Sequence, residues 1–284
     1  MEALYQMLLI IAGAFSCHGL YFVSRFLLLP GKVKELVDKS GELCNKPGHA
    51  AAVVAEKIVG LYVSTVCGLS GVAILKDTYH DVVYSKTSLI LPCTCYIYWY
   101  FIHDLYAMYQ TFCFSRLGAT LVNFKAKLSK FLYHKRIFIF HHFILLTLAI
   151  PFAQGKIINN IGDGLMGLLY IMELSTPFIS MHFIFDHTSL KDSKLQQVNG
   201  IIFIVVFFFV RILSIPFMYW LYAMQHHNGN IFAAVNKMGW YCHTAAWTMF
   251  LIQFTWFIAA FCKVLRGARR LYYRSEEKSK LKVS

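Results

Sequence analysis

Long apolar stretches recur along the 284-residue chain and are separated by short polar segments. An α-helix rises about 1.5 Å per residue, so roughly 20 apolar residues cross the hydrocarbon core of a bilayer. The intervening segments have at most about twenty residues, which is too short for a separate soluble domain. The pattern therefore predicts an all-α, polytopic membrane protein with seven transmembrane helices, at residues 4–29, 50–75, 87–114, 137–153, 163–185, 199–224 and 240–262.

The composition supports this class. Hydrophobic residues make up 58% of the chain, aromatic residues 17% and charged residues only 14%, values that exclude an ordinary soluble domain. The first stretch, MEALYQMLLIIAGAF, has no basic segment before its apolar run. We therefore predict a retained first span rather than a cleaved secretory signal.

The distribution of basic residues predicts the orientation, because Lys and Arg are retained on the cytoplasmic side. With the N-terminus outside and the C-terminus inside, 21 of the 27 basic residues lie in cytoplasmic segments. These are Arg25, Lys32, Lys34, Lys39, Lys46, Arg116, Lys125, Lys127, Lys130, Lys135, Arg136, Lys191, Lys194 and eight in the tail from Lys263 to Lys282. Only four lie outside: Lys76, Lys86, Lys156 and Lys237.

The net charge of +13 then has a natural counter-charge in anionic lipid headgroups, and no nucleic-acid-binding motif is present. In the simpler interpretation, most of these lysines only determine the orientation of the chain in the membrane. The third loop, which joins the third and fourth spans and carries the basic residues from Arg116 to Arg136, can also hold the phosphates of an acyl-CoA, as can the basic tail. The endoplasmic reticulum is the expected compartment, with the Golgi and the plasma membrane as alternatives.

Ionisable side chains inside the predicted spans are the candidate functional residues. His141 and His142 lie in IFIFHHFILLTLAIPFA (137–153), about one turn inside the span. An imidazole in hydrocarbon needs a partner for its N–H group and its lone pair, and such residues usually face a bundle interior. The alternative is that both rings reach the membrane interface by snorkelling.

Two carboxyl groups lie at comparable depth. Asp104 is too deep for its short side chain to reach water, so it needs a hydrogen-bond donor, which Lys57, His141 or His142 can supply. Glu173 lies near the middle of the fifth predicted span, and Thr176 follows one turn later, just before a proline. Because proline frees a backbone carbonyl, we expect an interrupted helix with a polar wall.

Two cations complete the set. Lys57 lies about two turns inside the second span, and Arg211 lies within the sixth, ahead of Pro216, which predicts a kink. Turning these groups inward gives one polar cavity that opens to the cytosol, with apolar helices on the opposite side. Such a cavity suits an amphiphilic lipid. Its predicted lining, drawn from five helices, is Lys57, Asp104, His141, His142, Glu173 and Arg211.

Other classes fit less well. No HxxxH pair occurs, which disfavours a di-iron desaturase, and Cys93-x-Cys95 has the wrong spacing for a structural zinc site. We therefore predict neither a metal nor a bound cofactor. A seven-helix receptor shares the topology, but the seventh span lacks an NPxxY-like sequence.

Several segments together resemble the TLC-domain family, which includes the ceramide synthases. They are His141-His142, Phe101–Tyr109, Glu173–Phe178 and QVNGIIFIVVFFFVRILSIPFMYW. The resemblance covers roughly residues 50 to 265 and is closer to the TLC-domain-containing type 3 branch than to the synthases. We accordingly divide the chain into a first helix and cytoplasmic loop (1–49), a six-helix TLC-like domain (50–265) and a basic cytoplasmic tail (266–284).

The resemblance implies acyl-CoA-dependent N-acylation of a sphingoid base, which is ceramide synthesis, with membrane lipids as partners and acyl-CoA as co-substrate. The family's histidine pair matches His141 and His142. Our hypothesis is that one of them takes a proton from the amine or holds the acyl group, while Glu173 or Asp104 orients the imidazole. Lys57, Arg211 and Thr176 are the expected substrate-binding residues. The chain is expected to act alone or as a homo- or hetero-oligomer.

The chain departs from the synthases at one point. The family pattern has an Asp pair just ahead of Glu173, and these positions read Met166 and Leu169 here. A non-catalytic lipid-binding protein that regulates membrane lipid composition or trafficking is therefore the alternative function.

Overall fold

A computed structural model describes residues 2–28, 48–155 and 161–283 of the protein. Every regular element in these ranges is helical. The helices are α1 Glu2–Leu28, α2 His49–Thr78, α3 Ile90–Phe114, α4 Arg116–Thr120, α5 Phe124–His134, α6 Arg136–Ala153, α7 Asp163–Ile171, α8 Thr176–Asp186, α9 Lys194–Phe207, α10 Ser214–His226, α11 Ile231–Lys237 and α12 Trp240–Val283. A 3₁₀ turn, Met172–Ser175, joins α7 to α8, and a π-helical turn, Phe208–Ile212, follows α9.

Five of the basic residues from which the orientation is predicted lie outside the described residues. They are Lys32, Lys34, Lys39, Lys46 and Lys156. For part of the tail the structure describes only the helical backbone. The side chains outside this description include those of Arg270, Arg274, Lys278, Lys280 and Lys282.

Five segments of the described chain are long and apolar enough to cross a membrane: Ala3–Leu28, His49–Thr78, Asp163–Asp186, Lys194–His226 and Cys242–Gly267. The all-helical, multi-pass prediction is confirmed at this level. The third and fourth predicted spans correspond to α3 and α6, which are helices but are not among the five. Tyrosines and polar residues lower the hydropathy of α3, and the described apolar part of α6, Arg136–Leu148, is short. The count of seven spans stays a prediction.

The chain forms two compact units, Met1–Ser189 and Leu190–Ser284. In the first unit α2 is central and packs against α1, α3, α7 and α8, while α6 packs on the other side of α3. The core of this unit includes Tyr21 of α1, Val59, Val63 and Ile74 of α2, and Tyr170 of α7. Because α2 is buried along much of its length, polar side chains on it must find partners within the unit.

Small residues set the close crossing of α2 and α7. A β-carbon built on Gly71 would lie 2.6 Å from the carbonyl oxygen of Gly167 and 2.7 Å from the backbone nitrogen of Ile171. One built on Gly167 would lie 2.8 Å from Ile74. Small residues allow helix backbones to approach closely in membrane proteins, and here they bring α7 and the following 3₁₀ turn against α2.

The segment after α2 is fastened to the start of α7. Asp163 accepts hydrogen bonds from the Lys86 ammonium at 3.2 Å and from the backbone N–H of Thr87 at 3.1 Å. The backbone N–H of Gly164 also donates to the carbonyl of Val82 at 3.1 Å. These bonds fix the end of the unit where α2 ends and α3 begins.

The second unit consists of α9, the π-helical turn, α10, α11 and α12. The π turn interrupts the apolar stretch 194–226 and is separated by one residue from α10, which carries Pro216 near its start. The interruption predicted in this span is therefore present, but it is a π turn that contains Arg211 rather than a simple proline kink. Such turns occur frequently at functional sites.

Candidate functional site

His142 and Asp104 form a direct contact between α6 and α3. Nε2 of His142 lies 2.9 Å from Oδ2 of Asp104, and Nδ1 of the same ring lies 2.8 Å from the backbone carbonyl of Phe138. The ring of Phe101 packs against the imidazole at nearly a right angle, with centroids 5.9 Å apart. The two side chains are only 9% and 15% exposed. Of the three donors considered for Asp104, His142 is the one that makes the hydrogen bond.

This arrangement fixes how many protons the pair holds. The Phe138 carbonyl can only accept, so Nδ1 of His142 must carry a proton and donate it. The hydrogen bond between Nε2 and Asp104 needs a second proton, on either the imidazole or the carboxyl group. The pair is therefore an imidazolium beside a carboxylate, or a neutral imidazole beside a carboxylic acid. Both ring nitrogens are engaged in either form.

His141 occupies a different position from its neighbour. Its ring centroid lies 5.8 Å from that of His142, and the two rings are nearly perpendicular. Adjacent residues on a helix point about 100° apart, so the two imidazoles cannot face the same partner. His141 is half-buried, whereas His142 is buried. The structure thus distinguishes two residues that the sequence presents as an equivalent pair.

A second polar group lies at the interface of α2 and α3. Glu56 is only 5% exposed, and its carboxyl group bonds the ammonium of Lys57 through Oε1. Its other oxygen, Oε2, accepts from the hydroxyl of Thr111 at 2.7 Å. The Lys57 ammonium also lies over the ring of Phe183, 5.3 Å from its centroid. Lys57 is therefore held against a neighbouring carboxylate, and it interacts electrostatically with Asp104 as well.

Glu173 lies in the 3₁₀ turn between α7 and α8. The hydroxyl of Thr176 donates to Oε2 of Glu173 at 2.6 Å. The interruption that Pro177 predicts is present as this turn, and Pro177 itself lies in the first turn of α8. Glu173 also has an electrostatic influence on His142, which is weaker than that of Asp104.

Tyr100 is a neighbour of these groups that the sequence analysis does not single out. It lies one turn before Asp104 on α3, within electrostatic range of Asp104, Glu173 and Glu56. A β-carbon built on Gly60 would lie 3.4 Å from the Tyr100 hydroxyl and 3.3 Å from the buried hydroxyl of Ser180. The four-residue spacing from Asp104 was the signal that identifies Tyr100 as a neighbour on the same face.

Arg211 belongs to the second unit. Its guanidinium donates from Nη1 to the side-chain oxygen of Gln253 on α12 at 3.1 Å, and it lies over the ring of Phe207, 5.3 Å from the centroid. Arg211 is 6% exposed and Gln253 is 1% exposed. Gln253 was missed from sequence, although an amide inside the run WTMFLIQFTWF is itself a signal for a buried polar partner.

A further imidazole pair joins α1 to α3. Nδ1 of His103 lies 3.0 Å from Nδ1 of His18, and the indole N–H of Trp99 points at the same His18 nitrogen at 3.4 Å. The His18 ring stacks on Tyr106 with an interplanar angle of 16°. His18 therefore has a specific partner, which one residue in an apolar helix does not reveal. Among the described residues, no group of three or more His, Cys, Asp or Glu side chains is arranged to hold a metal ion.

Comparison with known proteins identifies a family and a relative. A protein-family model described as the TLC domain matches residues 54–262. An uncharacterized TLC domain-containing protein of Schizosaccharomyces pombe is 52% identical over 40 residues, which are 14% of this chain and 14% of that protein. No solved structure matches the chain.

Proposed function

The chain belongs to the TLC-domain family, and from that premise we propose that it joins the acyl group of an acyl-CoA to the amine of a sphingoid base. The TLC domain indicates a function in membrane lipids. Ceramide synthesis, the assignment to the type 3 branch and residence in the endoplasmic reticulum belong to the proposal. The predicted orientation, with the N-terminus outside and the C-terminus in the cytoplasm, places the basic third loop on the side where acyl-CoA is available.

The contact between His142 and Asp104 carries this proposal. It is a buried imidazole–carboxylate pair inside a polytopic helical bundle, with both ring nitrogens fixed at hydrogen-bonding distance. A carboxylate that fixes the orientation and tautomer of an imidazole is a recurrent feature of acyl-transfer sites. Because both nitrogens of His142 are engaged, we assign to it and to Asp104 the role of a positioning pair beside His141.

His141 is the imidazole that we assign to proton transfer. In the proposed reaction the neutral amine nitrogen of the sphingoid base attacks the thioester carbon, forming the C–N bond, and passes one proton to His141. The tetrahedral intermediate then collapses with cleavage of the C–S bond, and the departing thiolate takes that proton. The products are the amide and free coenzyme A, so no other reactant is needed. Through both steps, His142 and Asp104 keep the position of the His141 segment and the charge beside it unchanged.

The remaining residues are assigned to substrate binding. Glu173, hydrogen-bonded to Thr176, provides a carboxylate that attracts the ammonium form of the headgroup, which releases its extra proton to water before the neutral amine attacks. Lys57 balances the carboxylates of the first unit from the Glu56 side. Arg211 lies in the second unit, and the proposed ligand of its guanidinium is an anionic or polar part of a lipid substrate.

Non-catalytic lipid binding is a second candidate, and one observation favours it. Met166 lies in the buried apolar core of the first unit, and Leu169 packs against that core. The synthase pattern has acidic residues at these two positions, so part of the family's polar machinery is replaced here by core packing. In this alternative the same polar groups bind a lipid headgroup without turnover.

Acyl transfer by the purified protein tests the proposal. Wild type, His141→Ala and His142→Ala are supplied with labelled acyl-CoA and a sphingoid base, and the labelled amide is quantified. We expect product from wild type, none from His141→Ala and a rate reduced about 100-fold for His142→Ala, as expected when a positioned group is misplaced. Full activity of both variants would overturn the assignment.

Lipid binding measured on the same samples separates the two functions. Catalysis predicts that His141→Ala still binds the sphingoid base, because its role is in the chemical step. The alternative predicts binding without product from wild type, and reduced binding in Glu173→Gln. His134→Ala is a matched control, since it removes an exposed imidazole of α5 and is expected to change neither measurement.

A further inference from the structure

Helix α5, Phe124–His134, is amphipathic and is held to the first unit along one edge. Phe131 is buried against Phe112 and Met108 of α3, and the rings of Tyr109 and Phe131 meet edge to face with centroids 5.3 Å apart. The side chain of Asn123 caps the start of the helix by accepting from the backbone N–H of Lys125 at 2.9 Å. The orientation of α5 on the unit is therefore fixed by packing.

Within the described residues, the apolar face of α5 continues beyond this edge with partly exposed side chains. Phe124, Leu128 and Leu132 recur every four residues and so lie on one side of the helix, beside Phe131. They are 62%, 36% and 45% exposed. An exposed apolar face next to a membrane-spanning bundle needs a hydrocarbon environment, and the acyl chains of a lipid leaflet provide one.

The charges around this face all have the same sign. Lys125 lies on one flank of the apolar face, and Lys127 and Lys130 lie on the other. No Asp or Glu occurs anywhere between residues 105 and 162. The basic residues from α4 to the start of α6 are Arg116, Lys125, Lys127, Lys130, Lys135 and Arg136. An anionic partner therefore meets no repulsive carboxylate from this segment.

We infer that α5 lies in the headgroup layer of the membrane and recruits anionic lipids to the side of the protein on which the third loop lies. Phe124, Leu128 and Leu132 enter the acyl-chain boundary, while the three lysines reach the phosphate and carboxylate groups of the headgroups. A free phosphate compound satisfies the cations but leaves the apolar face exposed to water. The combination of both features in one helix favours a lipid leaflet.

Lipid retention by the intact protein provides the first test. Full-length protein is equilibrated with equal amounts of phosphatidylserine and phosphatidylcholine in mixed micelles, and the lipids that stay bound are counted by native mass spectrometry. We expect phosphatidylserine to be retained preferentially, and the preference to fall as salt rises from about 0.05 to about 0.5 M, because salt screens exposed charges. Equal retention of the two lipids by wild type would overturn the inference.

A charge-matched pair of variants localises the effect. Each cation near an anionic surface strengthens binding about fivefold, so Lys125→Gln/Lys127→Gln/Lys130→Gln is expected to lower the phosphatidylserine-to-phosphatidylcholine ratio at least about tenfold. The control Lys191→Gln/Lys194→Gln/Lys263→Gln removes the same charge from exposed positions outside α5 and is expected to lower the ratio less than the α5 variant does. Equal effects of the two variants would place the lipid site outside α5.

Two further measurements identify the source of the anion and the depth of the helix. Coenzyme A added in excess is expected to leave the retained phosphatidylserine unchanged, and its displacement would show a free-phosphate site instead. A photoreactive benzoylphenylalanine is placed at Leu128 or at Ser129, about 100° away on the polar side. We expect lipid adducts when the probe is at residue 128 and none when it is at residue 129. If no adducts form at residue 128, the proposed insertion of this face into the acyl-chain boundary is wrong.

Discussion

Asp104 and His142 hold each other at 2.9 Å across the interface of α3 and α6, while the backbone carbonyl of Phe138 holds the other ring nitrogen of His142. An ionisable group placed inside a membrane bundle without such partners loses its hydration with no compensation. The pair satisfies both nitrogens of the imidazole and one oxygen of the carboxyl group. It therefore defines a stable polar contact between α3 and α6.

Thr111→Val should destabilise the first unit. The hydroxyl of Thr111 lies 2.7 Å from Oε2 of Glu56, which is buried, and the substitution leaves that oxygen without this donor. Hydrogen bonds to charged groups contribute about 1.5–3 kcal/mol, so we expect a loss of that size in the free energy of unfolding. Thermal unfolding of the protein in detergent, monitored by circular dichroism, provides the measurement.

Thr111→Ser is the control for this prediction, because it retains the hydroxyl group and removes only a methyl group. We expect it to lose less than about 1 kcal/mol. If the valine variant is as stable as the serine variant, the contact between Thr111 and Glu56 contributes nothing to stability.

Gly71→Ala should also be destabilising, for a steric reason. The new β-carbon would lie 2.6 Å from the carbonyl oxygen of Gly167 and 2.7 Å from the backbone nitrogen of Ile171, and backbone atoms cannot move aside without shifting α7. Overpacking of this kind costs about 1–3 kcal/mol. The matched control is Gly19→Ala in α1, where no atom lies within 4 Å of the added carbon. A lower midpoint of thermal unfolding for Gly19→Ala than for Gly71→Ala would contradict the packing described.

In the second unit, Gln253→Leu should destabilise the π-helical turn. The buried guanidinium of Arg211 donates to the side-chain oxygen of Gln253, and leucine supplies no acceptor. A donor that loses its partner in a buried site costs about 1–3 kcal/mol. Gln253→Glu keeps an oxygen at this position and is expected to unfold at a temperature at least as high as that of Gln253→Leu. Equal stability of wild type and Gln253→Leu would show that Arg211 does not depend on this acceptor.

The architecture was largely predictable from sequence. A segment that crosses hydrocarbon must be helical to satisfy its backbone groups, and its side chains must be mostly apolar, so each span appears as a long apolar stretch. The interruptions near Pro177 and Pro216 were also foreseen, although the second is a π turn at Arg211. The tyrosines of α3 weaken this signal. The sequence pattern predicts α3 as the third span, but its tyrosines and polar residues keep it out of the five segments that qualify by length and hydropathy.

The pairing of polar side chains was less predictable, because it depends on the rotation of each helix about its own axis. For Asp104, sequence left Lys57, His141 and His142 as equal candidates, and only the packing of α3 against α6 selects His142. Similarly, no spacing rule joins His18 to His103, which lie 85 residues apart. Contacts between distant helices require the tertiary structure.

A double-mutant cycle on acyl transfer tests most directly whether Asp104 and His142 act as one unit in the proposed reaction. The rate of amide formation from labelled acyl-CoA and a sphingoid base is measured for wild type, Asp104→Asn, His142→Gln and the double variant, each confirmed as folded. We predict that each single substitution lowers the rate about 100-fold and that the double variant is no slower than the singles, since residues that act together are not additive. Independent, multiplying losses, or no amide from wild type, would contradict the account.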